Sequence, residues 1–355
     1  MTRLRATLVT PLTGPLTLYG QATAQGLTLW ARHAANLPSP WTDVELDVRD
    51  SGSNTGVAVR AALDTQPDVL FGPYGSSTML AAARACPRVI WNHGGASSRL
   101  AQPSFPQVIN VLSPASTYFA GVLQAIYASD PTVRTVSLFH STTGFGRDVA
   151  TGAKVQAAQF QMMIQAVPFE PSQALETVGT VPDGDILLVA GNFDDERVVA
   201  PLLLARNWRF AAFVGAGVEE VLTELGEKRE GLLGPAQWIP TATYQPDEGP
   251  DTNWFVTKYQ EAVGGDPPYP AAQAFAAGLL CARCLRDSGS CEDTAQLATA
   301  RQLACTTLYG AFRLDPTSGL QSGHQIFVVQ WQQGRLCAVW PPEQAERPLQ
   351  MLRKV

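Results

Sequence analysis

The chain has 355 residues, 45% of them apolar and 16% charged, which is core material for two domains of ~150 residues and too much length for one ordinary core. A net charge of −6 and a pI near 5.3, with the basic residues scattered, exclude a nucleic-acid partner because no patch would neutralise phosphates. No membrane span is expected, since the longest uncharged stretch, 100–129, is broken by Pro103, Pro106, Asn110 and Pro114.

The start is basic (Arg3, Arg5), but the apolar run after it stops at Pro11, short of the ~7–15 apolar residues of a secretory leader. No signal peptide is visible there, so the expected location is cytoplasmic, or the periplasmic or extracellular face if a leader was trimmed. Residues 5–10 read as a strand, and 20–36 as a helix with Leu27, Trp30, Ala31 and Ala34 on one face. Residues 44–48 alternate as a strand, 55–63 read as a helix, and 68–71 as a buried strand stopped by Gly72-Pro73. A helix over 77–85 and a strand over 88–91 follow. Strand–helix alternation with short turns implies right-handed crossovers and a parallel sheet.

A second series runs through a strand at 136–139, a helix at 146–162, a strand at 185–190, a helix at 195–207 and a strand at 210–214. One sheet of this many strands would be unusual, so these form a second doubly wound domain. The Pro/Gly/Asp-rich segment 235–250 reads as containing a crossing between domains. Helices are expected at 252–263, 270–288 and 294–304, and the chain closes with strands at 325–333 and 335–340 around Gln333-Gly334.

Ligands of open parallel sheets bind at the carboxyl ends of strands. The loops there are "PLTGPLTLYG" with Tyr19, "GPYGSST" with Ser76 and Ser77, "NHGGASS" with Gly95, Ala96 and Ser97, and "STTGFG" with Phe145. The second and third set glycines and hydroxyls before helices, a combination that suits a carboxylate, although Ser76, Ser77 and Ser97 serve equally well as helix caps. Phe193 also stands at a strand end. Enzyme chemistry is poorly supplied. The four histidines have no metal-ligand spacing, His93 has no partner constellation, and no nucleophile elbow or Walker loop is present. Asp194, Asp195 and Glu196 could hold a metal or simply favour a helix dipole. Cys281 and Cys284 form a C-x-x-C in an Ala/Leu-rich helix that fits no zinc module, and Cys86, Cys291, Cys305 and Cys337 complete the thiols. They read as buried small hydrophobes, with a Cys291–Cys305 disulfide open in an oxidising compartment. No cofactor or metal is expected.

"LVTPLTGPLTLYGQATAQGLTLW", "VRDSGSNTGVAVRAAL", "VLFGPYGSSTMLAAA", "WNHGGASSRL" and the closing "TLYGAFRLDPTSGLQSGHQIFVVQWQQGRL" together resemble the type I periplasmic binding proteins of ABC importers, in their branched-chain amino-acid and amide (leucine-binding-protein-like) class. The resemblance covers nearly the whole chain. It implies two Rossmann-like lobes, residues 1–114 with 242–321 and residues 115–241 with 322–355. Three crossings near 112–116, 239–242 and 319–323 would join them as a hinge, with a ligand cleft between. It implies that Tyr19 covers the ligand and that Ser76, with Ser77 alongside, takes its carboxylate. Gly95, Ala96 and Ser97 would supply backbone and hydroxyl groups, and Phe145 and Phe193 stand where tyrosine is usual. The acid that pairs with a ligand ammonium is replaced by Gly217, with Glu219 and Glu220 close by, so an amide, a keto acid or an aromatic acid becomes as open as an α-amino acid. The expected function is non-catalytic capture of a small amino-acid-like solute or amide by hinge closure, for an ABC permease if the protein is exported. A cytoplasmic amide or amino-acid sensor regulating a partner protein is the alternative, and a doubly wound enzyme a more distant one.

Overall fold

The computed structural model describes residues 2–352. The chain divides into two units, Met1–Ser113 with Pro240–Gln325, and Pro114–Ile239 with Ile326–Val355, so it passes between them three times. The first unit opens with β1 (Thr2–Thr10), α1 (Thr17–His33), β2 (Trp41–Asp50), α2 (Thr55–Leu63), β3 (Val69–Phe71), α3 (Ser76–Ala85), β4 (Ile90–Asn92) and β5 (Val108–Asn110). Its five strands pair in parallel in the order β2-β1-β3-β4-β5. Position in the sheet explains the sequences. Edge strand β2 carries acidic residues at alternate positions and no buried residue, whereas β3 and β4 are short and buried throughout. The helix expected from residue 20 starts three residues earlier, at Thr17.

In the second unit, α4 (Tyr118–Ser129), β6 (Thr135–Ser141), α5 (Gly144–Gln159), β7 (Met163–Phe169), α6 (Ala174–Thr177), β8 (Ile186–Ala190), α7 (Phe193–Leu204), β9 (Phe210–Phe213) and β10 (Leu233–Ala236) follow. After the return crossing the first unit gains α8 (Thr252–Val263), α9 (Tyr269–Ser288), α10 (Asp293–Gln302) and the hairpin β11 (Ala304–Thr307) with β12 (Gly310–Arg313). The second unit then ends with β13 (Phe327–Gln332) and β14 (Arg335–Trp340). Its sheet runs β14-β13-β10-β9-β8-β6-β7, parallel from β10 to β7 and antiparallel at β13 and β14, as the closing hairpin predicted. Segment 235–250, expected to contain the crossing, begins inside β10, and the unit boundary falls at Ile239–Pro240.

Helix starts follow local chemistry. Asn54, Thr143, Asn192 and Asp251 each accept a backbone N–H of the first turn of α2, α5, α7 and α8, a contribution of about 1 kcal/mol apiece. The 20-residue α9 is buried along most of its length, with Cys281 and Cys284 inside it. It packs on α1, where Trp30 lies against Gly278. All six cysteines are free thiols, Cys291 half-buried and the rest buried, so the Cys291–Cys305 disulfide is not formed. Burial pushes Cys284 and Cys305 up to about 12 and Cys281 well above the ordinary thiol range, which suits protonated thiols packed as small apolar side chains.

Candidate functional site

In the first unit the loops after β1, β3 and β4 carry the expected residues. The loop after β3 turns into α3 through Gly75, whose φ of 100° excludes a side chain at low cost and which is itself the N-cap. The serines therefore do not cap α3. Ser76 is half-buried and Ser77 exposed on its first turn, beside the N–H groups of Ser76, Ser77 and Thr78 that have no intrahelical acceptor. Thr78 turns its hydroxyl back to the Gly75 carbonyl at 2.8 Å. The Gly75 N–H donates to the Gly94 carbonyl at 2.9 Å, tying the second loop to the third.

The third loop is built on Asn92, fully buried at the end of β4. Its Oδ1 accepts the Gly95 N–H at 2.8 Å, and its Nδ2 donates to the Gly95 carbonyl and to Asn110 Oδ1, each at 2.8 Å. Gly95 thus has both backbone polar groups turned to Asn92, while Ala96 and Ser97 follow it as buried residues. Ser97 begins a short 3-10 turn and accepts the Arg99 N–H at 3.3 Å. Within this loop, His93 is fully buried and burial pushes its imidazole down to about 4, so it is neutral at pH 7.

Tyr19, in the first turns of α1, stacks on Tyr74 with ring centroids 4.9 Å apart and planes 13° apart. The Tyr74 hydroxyl bonds that of Tyr269, which opens α9 and lies 6.5 Å from Tyr19 between ring centroids. The tyrosine cluster beside the serine-bearing turn therefore has two members that the sequence reading left out. Tyr74 sits inside the "GPYGSST" loop and was the visible signal; Tyr269 enters 195 residues later and had none.

In the second unit, Phe145 is on the first turn of α5 and meets Tyr118 edge-on at 5.8 Å. Burial pushes Tyr118 up to about 12, and its hydroxyl accepts Gln237 Nε2 at 3.0 Å. Phe193 opens α7 and packs at the margin of the unit's apolar core. Gly217 lies in the 3-10 turn after β9, where a Cβ would stand 2.0 Å from the Pro235 carbonyl oxygen of β10. That close approach explains the glycine and leaves no room for an acid. Glu219 and Glu220, just beyond it, are exposed.

Of the three acids in the first turn of α7, Glu196 is fully buried. Its Oε1 accepts the Gly191 N–H at 3.1 Å and its Oε2 the Gly215 N–H at 2.7 Å. Burial pushes it up to about 8 against those backbone bonds. Both oxygens are thus engaged, and no group of three metal-ligating side chains exists among the described residues.

Two α/β units, each presenting loops at the carboxyl ends of a parallel sheet and joined by three chain crossings, define the solute-receptor class of the type I periplasmic binding fold. Residues 4–335 match the family model described as periplasmic binding protein, and the chain belongs to that family. A leucine binding protein from Thermotoga maritima has a similar structure at 17% identity, with 96% of this chain and 99% of that one covered and a TM-score of 0.77. A solute binding protein of an ABC transporter from R. palustris, in complex with 4-hydroxybenzoate, matches at 15% identity over 99% and 97%, TM-score 0.79. A branched chain amino acid ABC transporter periplasmic ligand-binding protein from Burkholderia xenovorans matches at 14% over 98% and 97%, also at 0.79. No helix among the described residues is long and apolar enough to cross a membrane.

Proposed function

We propose that this protein is the solute-capturing component of an ABC importer, acting outside the cytoplasm with a permease as partner. Its solute is then a small carboxylate with a flat or apolar body and no α-amino group, captured by closure about the chain crossings. The observation that carries this reading is Gly217. The position where the family's amino-acid receptors place an acid is packed against the Pro235 carbonyl, and the nearby Glu219 and Glu220 are exposed. An ammonium group left without that partner would lose a charge-assisted bond worth about 1.5–3 kcal/mol. The carboxylate side is retained, with Ser76 beside the open N–H groups of α3. Tyr19 and Tyr74 in the first unit supply ring faces for an apolar body. The 4-hydroxybenzoate held by the similar R. palustris protein is of this chemical class.

The test is a thermal-shift screen against benzoate, 4-hydroxybenzoate, leucine, a keto acid and acetamide. A ligand at ~100 times its dissociation constant adds ~2.7 kcal/mol to the folded state and raises the Tm. A benzoate or keto-acid shift lost in the Ser76→Ala, Tyr19→Ala double variant supports the reading. A shift with leucine alone would show that an ammonium is accommodated and would sink it.

A further inference from the structure

The carboxylate of Asp50 joins the end of edge strand β2 to the loop that leads into α1, entirely within the first unit. Thr10 of β1 and Asp50 of β2 are the last residues paired between the two strands, so the Asp50 side chain stands level with the start of that loop. Its Oδ1 accepts the Leu12 N–H at 2.9 Å and the Gly52 N–H at 3.0 Å, and its Oδ2 accepts the Thr13 hydroxyl at 2.6 Å. The loop needs this outside anchor. Leu16, the N-cap of α1, makes no side-chain capping bond, and Gly14 turns the chain through a φ of 82°. Past the anchor the contacts are close: the Thr17 hydroxyl donates to the Gly14 carbonyl at 2.6 Å, and a Cβ on Gly20 would stand 1.8 Å from the Pro11 carbonyl oxygen. Tyr19 lies between those two contacts in sequence, with its ring stacked on Tyr74.

We propose that Asp50 is a positioning residue for solute binding: by holding the first residues of the loop after β1 it sets the first turns of α1, and with them the ring of Tyr19. The proposal rests on the reading that Tyr19 covers the solute. The three donors all favour the ionised carboxyl, the Thr13 hydroxyl most, and hold it below the usual carboxylate range. The charge present at neutral pH therefore tightens the anchor. Without the carboxylate these donors turn to water, and the loop is left to its contacts with α1, which move together with Tyr19. Asparagine in this place keeps an oxygen for both N–H groups and turns its amide N–H to the Thr13 hydroxyl, which accepts it, whereas alanine keeps none of the three bonds.

The test places 3-fluorotyrosine at Tyr19 and follows its fluorine resonance in ligand-free protein, in the parent and in Asp50→Ala, Asp50→Asn and Thr13→Val. Asn54→Ala, which removes the cap of α2 and leaves the loop untouched, is the control for destabilisation elsewhere in the unit. Asp50→Ala should move the resonance toward that of free 3-fluorotyrosine and Thr13→Val part of the way, while D50N and N54A leave it in place. Ser76 and Tyr19 both belong to the first unit, so benzoate affinity reads the same anchor. It should fall at least ~5-fold in D50A and less than ~2-fold in D50N. Should Asp50→Ala fail to fold, the Thr13→Val shift decides. A resonance that stays in place in Asp50→Ala and Thr13→Val, or that moves as far in Asn54→Ala, overturns the proposal, and so does an unchanged benzoate affinity in D50A. If benzoate fails to bind the parent while the D50A shift is present and D50N restores the resonance, the anchor is supported and the aromatic-acid reading is the part that fails.

Discussion

Exchanging Glu196 for glutamine should invert the order of stability between acid and alkaline conditions. In the folded state the carboxyl is raised from 4.5 to about 8 by burial. The unfolded chain releases this proton near pH 4.5 while the native state keeps it. Native stability from this group is therefore full below pH 4.5 and is lost as pH rises through 8. At ~1.36 kcal/mol per pH unit, a rise of that size bounds the loss at roughly 5 kcal/mol. Glutamine does not titrate, but its amide must turn an N–H toward the N–H of Gly191 or Gly215, which costs about 1–3 kcal/mol. E196Q should thus be the less stable protein at pH 5, equal the parent near roughly pH 6, and be the more stable one by ~2–4 kcal/mol at pH 9. Urea unfolding at unit pH steps, extrapolated to water, reads this directly, and the difference between the two proteins cancels every other titrating group. A difference constant within ~0.5 kcal/mol from pH 5 to 9 would refute the reasoning.

Three other outcomes are expected. Gly217→Ala places a methyl 2.0 Å from the Pro235 carbonyl oxygen, so the turn must leave β10; a loss of about 3 kcal/mol by urea unfolding is expected, and parental stability would disprove the close approach. His93, lowered from 6.5 to about 4 by burial, keeps its contribution above pH 6.5 and loses it as pH falls through 4. His93→Gln should flatten that acid limb by up to ~3 kcal/mol, and an unchanged slope between pH 6.5 and 4 would count against it. Asn92→Ala strips the amide that holds Gly95 and Asn110; it should cost ~2–3 kcal/mol and weaken any benzoate-induced Tm shift, whereas Asn110→Ala with an intact Gly95 should spare the shift.

Much of the α/β architecture was legible, for reasons that vary by element. Thr55–Leu63, Thr252–Val263 and Arg335–Trp340 match their expected limits because an amphipathic period or a clean alternation is bounded by Asn54, Asp251 or Gln333-Gly334. Three-residue β5 is too short to show a period, and the apolar run of α4, "YFAGVLQAIYAS", begins only after Pro114 and a 3-10 turn. Strand β7 contains Pro168 at the sheet edge, and β10 is "LGPA", a composition that reads as turn because its Gly and Pro serve the backbone contact with Gly217. Within the site, loop chemistry pointed to Ser76 and Ser97 but not to their different roles: Gly75 caps α3, whereas Ser97 caps its own short turn. Glu196 was hidden among three acids whose proximity to a helix start fits a dipole effect, and only the apolar wall around it separates it from Asp194. Tyr269 could not be found from Tyr74, because nothing local links residues 195 positions apart.

The thiols offer a way to count folded molecules. Five of the six cysteines are buried and only Cys291 is half-buried, with Cys86 pushed up to about 11 and Cys284 and Cys305 up to about 12 by burial. A maleimide at neutral pH should therefore add one equivalent per native chain and six on denaturation. A fluorophore placed this way, beside Glu292 and Asp293 at the start of α10, would report on the first unit without any cysteine having to be removed.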